Sequence, residues 1–259
     1  MRSILFAMLC SFCGLASATA NTTDYSDLWW NPNESGWGVN VVQQGSVLFT
    51  TFFVYGSNGT PTWFVGPDVE QFGGTSGFQG TLYQTTGPYY GAATFNPGSV
   101  TTRTVGTITF TPTSATTATV AYSVDGTQVT KQVQRQTWRS ENLAGIYLGA
   151  STGTWSNCGA SRNGYDESYA TYTVAQDGIS VNFREDTAGG STCTYTGTYT
   201  ASGRLGTIVG TGLCSDGVNQ TFTASEVQVS QSALTMKFQA SQVGGCIYNG
   251  RLGGLRRAP

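Results

Sequence analysis

The feature that most constrains this chain is apolar alternation of period two, broken at short intervals by turn-forming residues. In Thr116–Val124, read Thr-Thr-Ala-Thr-Val-Ala-Tyr-Ser-Val, residues Ala118, Val120, Tyr122 and Val124 share one face of an extended strand. Asp125-Gly126 follows, a dipeptide that accepts the positive φ of a tight hairpin, and Val129 and Val133 continue on the returning strand. Val47–Tyr55 likewise runs into Gly56-Ser57-Asn58-Gly59 and returns as Thr60–Val65, while Val105–Thr111 places Ile108 and Phe110 on one face. Beyond residue 20 there is no helical periodicity, and 35 glycines would interrupt any long helix. The spacing predicts about seven or eight strands between Gly36 and Trp138.

The pattern pauses at Arg139-Ser140-Glu141-Asn142 and restarts at Leu143-Ala144-Gly145-Ile146-Tyr147-Leu148. Tyr169–Ala175 and Ile179–Phe183 flank Asp177-Gly178, a second hairpin of the Asp-Gly type. Thr192–Thr200 and Leu205–Gly212 flank Ala201–Arg204, and Gln220–Val229, Leu234–Gln239 and Ile247–Leu252 complete about eight further strands. Composition shifts at the same place, since five of the six tryptophans precede it. The expected organisation is all-β: a leader at 1–20, a Trp-rich barrel at 21–140 and a disulfide-containing barrel at 141–259, both antiparallel meanders in tandem. Closing a meander removes the exposed edges that an open sheet carries. The alternative is a single large sandwich.

The leader is read from Arg2, the apolar run Ile4–Leu15 and the small residues Ala18-Thr19-Ala20, the pattern of a cleaved secretory signal. That run is too short to span a bilayer, so the expected location is secreted or periplasmic, without membrane insertion. Four of the six cysteines lie beyond the leader, at 158, 193, 214 and 246, and no C-x-x-C pair occurs. An even count in an oxidising compartment predicts two disulfides. Cys193 and Cys214 sit nearly symmetrically about the Ala201–Arg204 turn, so they face each other across a hairpin. Cys158 and Cys246 lie near the two ends of the second domain and meet only if a barrel closes. The expected bridges are therefore Cys193–Cys214 and Cys158–Cys246.

Charge and residue absences narrow the chemistry. Charged residues make up 10% of the chain, the net charge is −2 and no basic run appears, so nucleic acid and anionic membranes are poor partners. There is no histidine, which removes Ser-His-Asp and Cys-His catalysis and His-ligated metals. Neither a cofactor nor a metal is implied. What remains for an enzyme is a carboxylate pair, a tyrosine or a lysine, and Asp27 and Glu34 are the candidate pair for a glycosidase.

Asp27-Leu28-Trp29-Trp30-Asn31-Pro32-Asn33-Glu34-Ser35-Gly36-Trp37-Gly38 is the densest stretch. It resembles the W-W-x-P-x-E-S-G-W-G signature of a family of secreted bacterial proteins without an established activity. Val39-Asn40-Val41, Phe53-Val54-Tyr55, Pro61-Thr62-Trp63-Phe64 and the terminal Gly250–Arg257 segment fit the same likeness. The resemblance implies secretion and a β architecture and assigns no catalytic residue. A second likeness, to barrels of the avidin and lipocalin type, rests on Gly36-Trp37 and Gly145-Ile146-Tyr147.

Read from its residues, Asn31-Pro32-Asn33-Glu34 is a turn, and Ser35-Gly36 opens the first strand. Adjacent Trp29 and Trp30 point to opposite faces of an extended chain, so one plugs a barrel floor while the other stays outside. Glu34 and Asp27 are acceptors for indole or turn N–H groups. The motif serves either as a folding plug or as an aromatic platform. In the second case Trp29, Trp30, Trp37 and Trp63 stack on a glycan or a small apolar ligand while Asn31, Asn33 and Glu34 bond its hydroxyls. Weaker candidates are Asp68 and Glu70, which share a strand face and either bind a cation with backbone carbonyls or are solvated, and the turn-end acidic pairs Asp166-Glu167 and Glu185-Asp186, read as solvated surface. The expected function is a secreted, non-enzymatic binding module. The alternatives are a structural or protein-interaction β protein and, third, a glycosidase.

Overall fold

The computed structural model describes residues 23–159 and 162–258. The expected leader lies outside them. Among the described residues the chain is built of strands and one short 3-10 turn at Pro97–Ser99. The strands close into two antiparallel barrels, and in each every neighbouring pair but the closing one is also consecutive in sequence. The first barrel comprises β1 (Asp27–Trp30), β2 (Gly38–Gln44), β3 (Val47–Tyr55), β4 (Pro61–Gln71), β5 (Phe78–Thr86), β6 (Thr101–Pro112), β7 (Thr117–Val124) and β8 (Thr127–Arg135). The second comprises β9 (Gly145–Ser156), β10 (Gly164–Asp177), β11 (Ser180–Thr187), β12 (Thr192–Ser202), β13 (Leu205–Cys214), β14 (Asn219–Val229), β15 (Ala233–Gln242) and β16 (Ile247–Arg256). Residue 140, the expected boundary, falls between β8 and β9.

Closure differs in extent. In the second barrel β9 and β16 pair along ten positions, from Ile247↔Ser156 to Arg256↔Tyr147. In the first, β1 meets β8 at only Trp29↔Arg135 and Trp30↔Gln134. The Asp-Gly hairpin lies where the sequence puts it: Asp125 and Gly126 have φ of 49° and 86°. One expectation is corrected. The first strand is not opened by Ser35-Gly36; it is β1, before the turn, and the Trp-rich motif is the β1–β2 hairpin, with β2 starting at Gly38. A four-residue strand followed by a proline turn offers too little alternation to be read as one.

Both barrels close one end with the same device. In the first, Trp29 is fully buried; the guanidinium of Arg135 lies 5.0 Å from its ring centroid, and its indole N–H donates to the Tyr25 carbonyl. In the second, Tyr147 is fully buried, Arg256 lies 4.9 Å from its ring centroid, and its hydroxyl donates to the Leu143 carbonyl. Of the two adjacent tryptophans, Trp29 is therefore the one that plugs the first barrel, and Tyr147 takes that place in the second.

These closed ends face each other. The Asp27 carboxylate accepts from Arg135 Nη1 at 2.9 Å and from the Arg204 backbone N–H of the β12–β13 turn at 2.8 Å. Gly203 N–H donates to Thr137 Oγ1 at 2.9 Å, and Arg204 pairs with Asp24 at 3.3 Å. Thr23 donates to Glu226 at 2.7 Å, a residue carried outward on a bulge of β14 with φ 50°. Gly203 is required here: its φ is +60°, and a Cβ at that position would lie 2.1 Å from Asp27 Oδ2.

Candidate ligand-binding site

The residues of the Trp-rich motif do not form one surface. Trp29 fills the interior of the first barrel, in edge contact with Phe110 at 5.1 Å between ring centroids. Trp30 alternates to the outer face and is half-buried. Asn31 and Asn33 make the turn itself: Asn33 N–H donates to Asn31 Oδ1 at 2.9 Å, and Glu34 N–H donates to the Asn31 carbonyl at 3.0 Å. Glu34 accepts from the Trp37 indole at 3.1 Å and pairs with Lys131 at 2.7 Å, whose ammonium lies 5.9 Å from the Trp37 ring. That Lys131 contact holds the Glu34 carboxyl below the usual carboxylate range. Trp63 stands on the outer wall opposite Phe53, and both are about half exposed. Asp27 is engaged in the buried pair with Arg135 and by the Arg204 backbone N–H of the second barrel, while Glu34 is held by Lys131 at the β1–β2 turn.

The interior of the first barrel is filled. Trp29, Phe52, Phe78, Leu82, Ile108 and Phe110 have no exposed surface and pack as one cluster. The second barrel is filled only at its Tyr147 end. At the other end the interior opens into a cavity of about 490 Å³, the size of a small-molecule site.

Strand alternation builds this cup. On β11, Val181 and Phe183 point inward, and the same face continues to Glu185. On β10 the inward face runs from Asp166 through Ser168 to Ala170 and Tyr172. Strand β12 supplies Tyr195 and β14 supplies Gln220, whose side-chain N–H donates to the Tyr195 hydroxyl at 3.1 Å. Trp155 of β9 and Tyr248 of β16 form the wall, with centroids 5.0 Å apart. Glycines set these rings: a Cβ on Gly212 would meet Tyr195 at 2.4 Å, and one on Gly153 would meet Tyr248 at 2.6 Å. Both disulfides stand at this open end. Cys193–Cys214 links directly opposed residues of β12 and β13, with Cα atoms 3.9 Å apart, and Cys158–Cys246 ties the end of β9 to the start of β16.

Glu185 is the electrostatic focus of the cup. It lies among aromatic rings, opposite Tyr172 on β10 and Cys193 on β12. Burial pushes its carboxyl up to about 7, the facing Tyr195 hydroxyl lowers it, and Asp166 raises it. Burial also raises Tyr248, to about 12, and raises Tyr172 and Tyr195 further, so all three phenols stay neutral. Tyr172 and Tyr248 turn their hydroxyls toward Ser151, and neither forms a bond of regular geometry. Gln220, buried to 7% exposure, leaves its carbonyl oxygen without a partner. The reading of Glu185-Asp186 as a solvated pair is corrected by half: Asp186 is the outward member, paired with Arg184 at 2.7 Å, and Glu185 points in.

Among the described residues no group of histidine, cysteine and carboxylate side chains is arranged to hold a metal ion. No helix of the described residues is long and apolar enough to cross a membrane. No protein-family model and no curated protein sequence matches the chain. Among solved structures, a protein of unknown function from the DUF3598 family, from Nostoc punctiforme, is similar over 91% of this chain and 95% of its own, at 10% identity and a TM-score of 0.27.

Proposed function

We propose that this chain is a non-enzymatic binding protein, working outside the cytoplasm, that takes a small ligand into the cup of its second barrel. The observation that carries this reading is the contrast between the apolar cluster that packs the first barrel and a cavity of about 490 Å³ in the second, lined by Glu185, which among the described residues pairs with no lysine or arginine, and by Gln220, whose amide oxygen has no partner. Interior space lined by aromatic rings and a few convergent polar groups is the usual form of a small-molecule site. Two disulfides fit an oxidising compartment. In this reading the Trp-rich motif serves the fold: Trp29 plugs the first barrel, and the Glu34 turn fixes the β1–β2 hairpin.

Thermal unfolding of the oxidised protein with a panel of small cations, neutral aromatics, sugars and carboxylates tests the proposal. A ligand at about 100 times its Kd stabilises by about 2.7 kcal/mol. At least one class is expected to raise the Tm of the wild type and not that of Ser168→Trp, which fills the cup from β10. Stabilisation that survives Ser168→Trp unchanged moves the site elsewhere. A complete absence of response favours an interaction or structural protein without a small ligand.

A further inference from the structure

We infer that the cup is built for a small organic cation, an ammonium carried on an aromatic or apolar body, with Glu185 as its counter-ion and Gln220 as a second acceptor. The inference rests on the cup being the ligand site and adds the charge and shape of what enters it.

Charge comes first. Three carboxylates line the cavity, Glu185 inside and Asp166 and Asp216 nearer its mouth. The cavity's one cationic side chain among the described residues, Arg162, is already engaged: its guanidinium lies 4.3 Å from the Trp155 ring centroid and donates to Gln242 at 3.0 Å. No lysine or arginine of the described residues pairs with Glu185. A carboxylate in an aromatic shell without a cation is costly to keep charged, and an entering cation offsets that cost directly. An anionic ligand would meet the three carboxylates and is disfavoured.

Hydrogen-bonding capacity comes second. Gln220 already donates to Tyr195, and what it has left to offer is its carbonyl oxygen. With the Glu185 carboxylate, this makes the buried polar end of the cup a pair of acceptors, which N–H donors satisfy. Shape comes third. Trp155, Tyr195 and Tyr248 line the cavity and supply the aromatic surface against which the apolar body of a ligand packs.

Three matched probes separate the elements of this inference: tryptamine, whose side chain ends in an ammonium, the neutral alcohol tryptophol and the carboxylate indole-3-propanoate. Titration calorimetry at pH 8 is expected to show tryptamine binding at least about tenfold more tightly than tryptophol, and indole-3-propanoate not binding. Glu185→Gln keeps the shape and removes the charge. It is expected to lose about tenfold in tryptamine affinity and to leave tryptophol unchanged. Glu185 faces Tyr172, Tyr195, Tyr248 and Asp166, so its own protonation governs the acid side, and tryptamine affinity is expected to fall as pH drops below about 7. Equal binding of the three probes, or a Glu185→Gln variant that binds tryptamine as the wild type does, overturns the cation inference. Ser168→Trp then reports separately on the cup, because a charge-blind ligand that this variant excludes leaves the binding reading standing.

Discussion

The two barrels share a plan and differ in what they do with their interiors. Each carries an aromatic on its first strand, Trp29 or Tyr147, beneath an arginine from the end of its last, Arg135 or Arg256. The first barrel packs its interior with one cluster of buried apolar side chains, Trp29, Phe52, Phe78 and Phe110 among them. The second stops its apolar cluster short, lines the space with Glu185, Gln220, Tyr195 and Tyr248, and ties the open end with two disulfides. Cross-links stand where packing is sacrificed. A barrel end that does not fill itself with hydrophobes loses burial energy, and restraint of the unfolded chain replaces part of it.

The sharpest way to break this comparison is to remove the arginines in turn. Arg135 is fully buried with Asp27 and donates to the carbonyls of Ala115, Ser26 and Asp24. Arg135→Ala strands the buried Asp27 carboxylate and is expected to cost about 3–5 kcal/mol in chemical denaturation. Arg256 donates to the Ala144 carbonyl, so Arg256→Ala is expected to cost only about 1–2 kcal/mol. Equal losses would mean the two devices are energetically the same.

Reduction is expected to act on the second barrel alone. In the chain-entropy model the Cys158–Cys246 bridge, with a separation of 88 residues, contributes about 4.6 kcal/mol, and Cys193–Cys214, with a separation of 21, about 3.3 kcal/mol. Replacing each pair by alanine and following hydrogen exchange in both barrels checks this. Loss of protection in β1–β8 as well would show that the barrels unfold as one unit.

The next effect is a dependence on pH. The folded protein holds a proton on Glu185 up to about pH 7, while the unfolded carboxyl releases it near its ordinary value of 4.5. The contribution of this group is therefore most favourable at low pH. It declines as pH rises from about 4.5 to about 7, by roughly 2–3 kcal/mol. Glu185→Gln is expected to remove that decline and to be the more stable protein at pH 8. A wild type and variant that titrate in parallel would place Glu185 in solvent.

The smallest effects belong to the junction and the outer wall. Gly203→Ala drives a Cβ into Asp27 and is expected to cost about 1–2 kcal/mol, read as a loss of coupling between the two unfolding transitions. Trp63→Ala, on the outer wall, is expected to change stability by less than about 1 kcal/mol.

Much of the fold was legible because period two is a local property. It delivered the hairpins at Asp125-Gly126 and Asp177-Gly178, the opposite orientations of Trp29 and Trp30, and both cysteine pairings, since facing positions and barrel closure are matters of symmetry along the chain. The cup was less legible. Ending the β11 strand at Phe183 left Glu185 to a turn. The strand in fact runs to Thr187, and the inward face Val181, Phe183, Glu185 was there to be followed. An acidic residue at the end of an apolar face reads as solvated unless the barrel around it is known. Arg135 shared a face with Val133 in the same way. The Asp27–Arg204 contact joins residues 177 positions apart and has no local signature.

On the reading proposed above, the first barrel is a packed support and the second a cup that holds the ligand. A crystal structure of the oxidised protein with the small molecule that stabilises it most, grown at pH 8, tests this most directly. Ligand density is expected inside the second barrel, within hydrogen-bonding distance of Glu185 or Gln220 and against Trp155 or Tyr248, with nothing inside the first. Density seated on Trp37 and Glu34, or along the Phe53–Trp63 wall, with the second barrel's cavity empty, would contradict it.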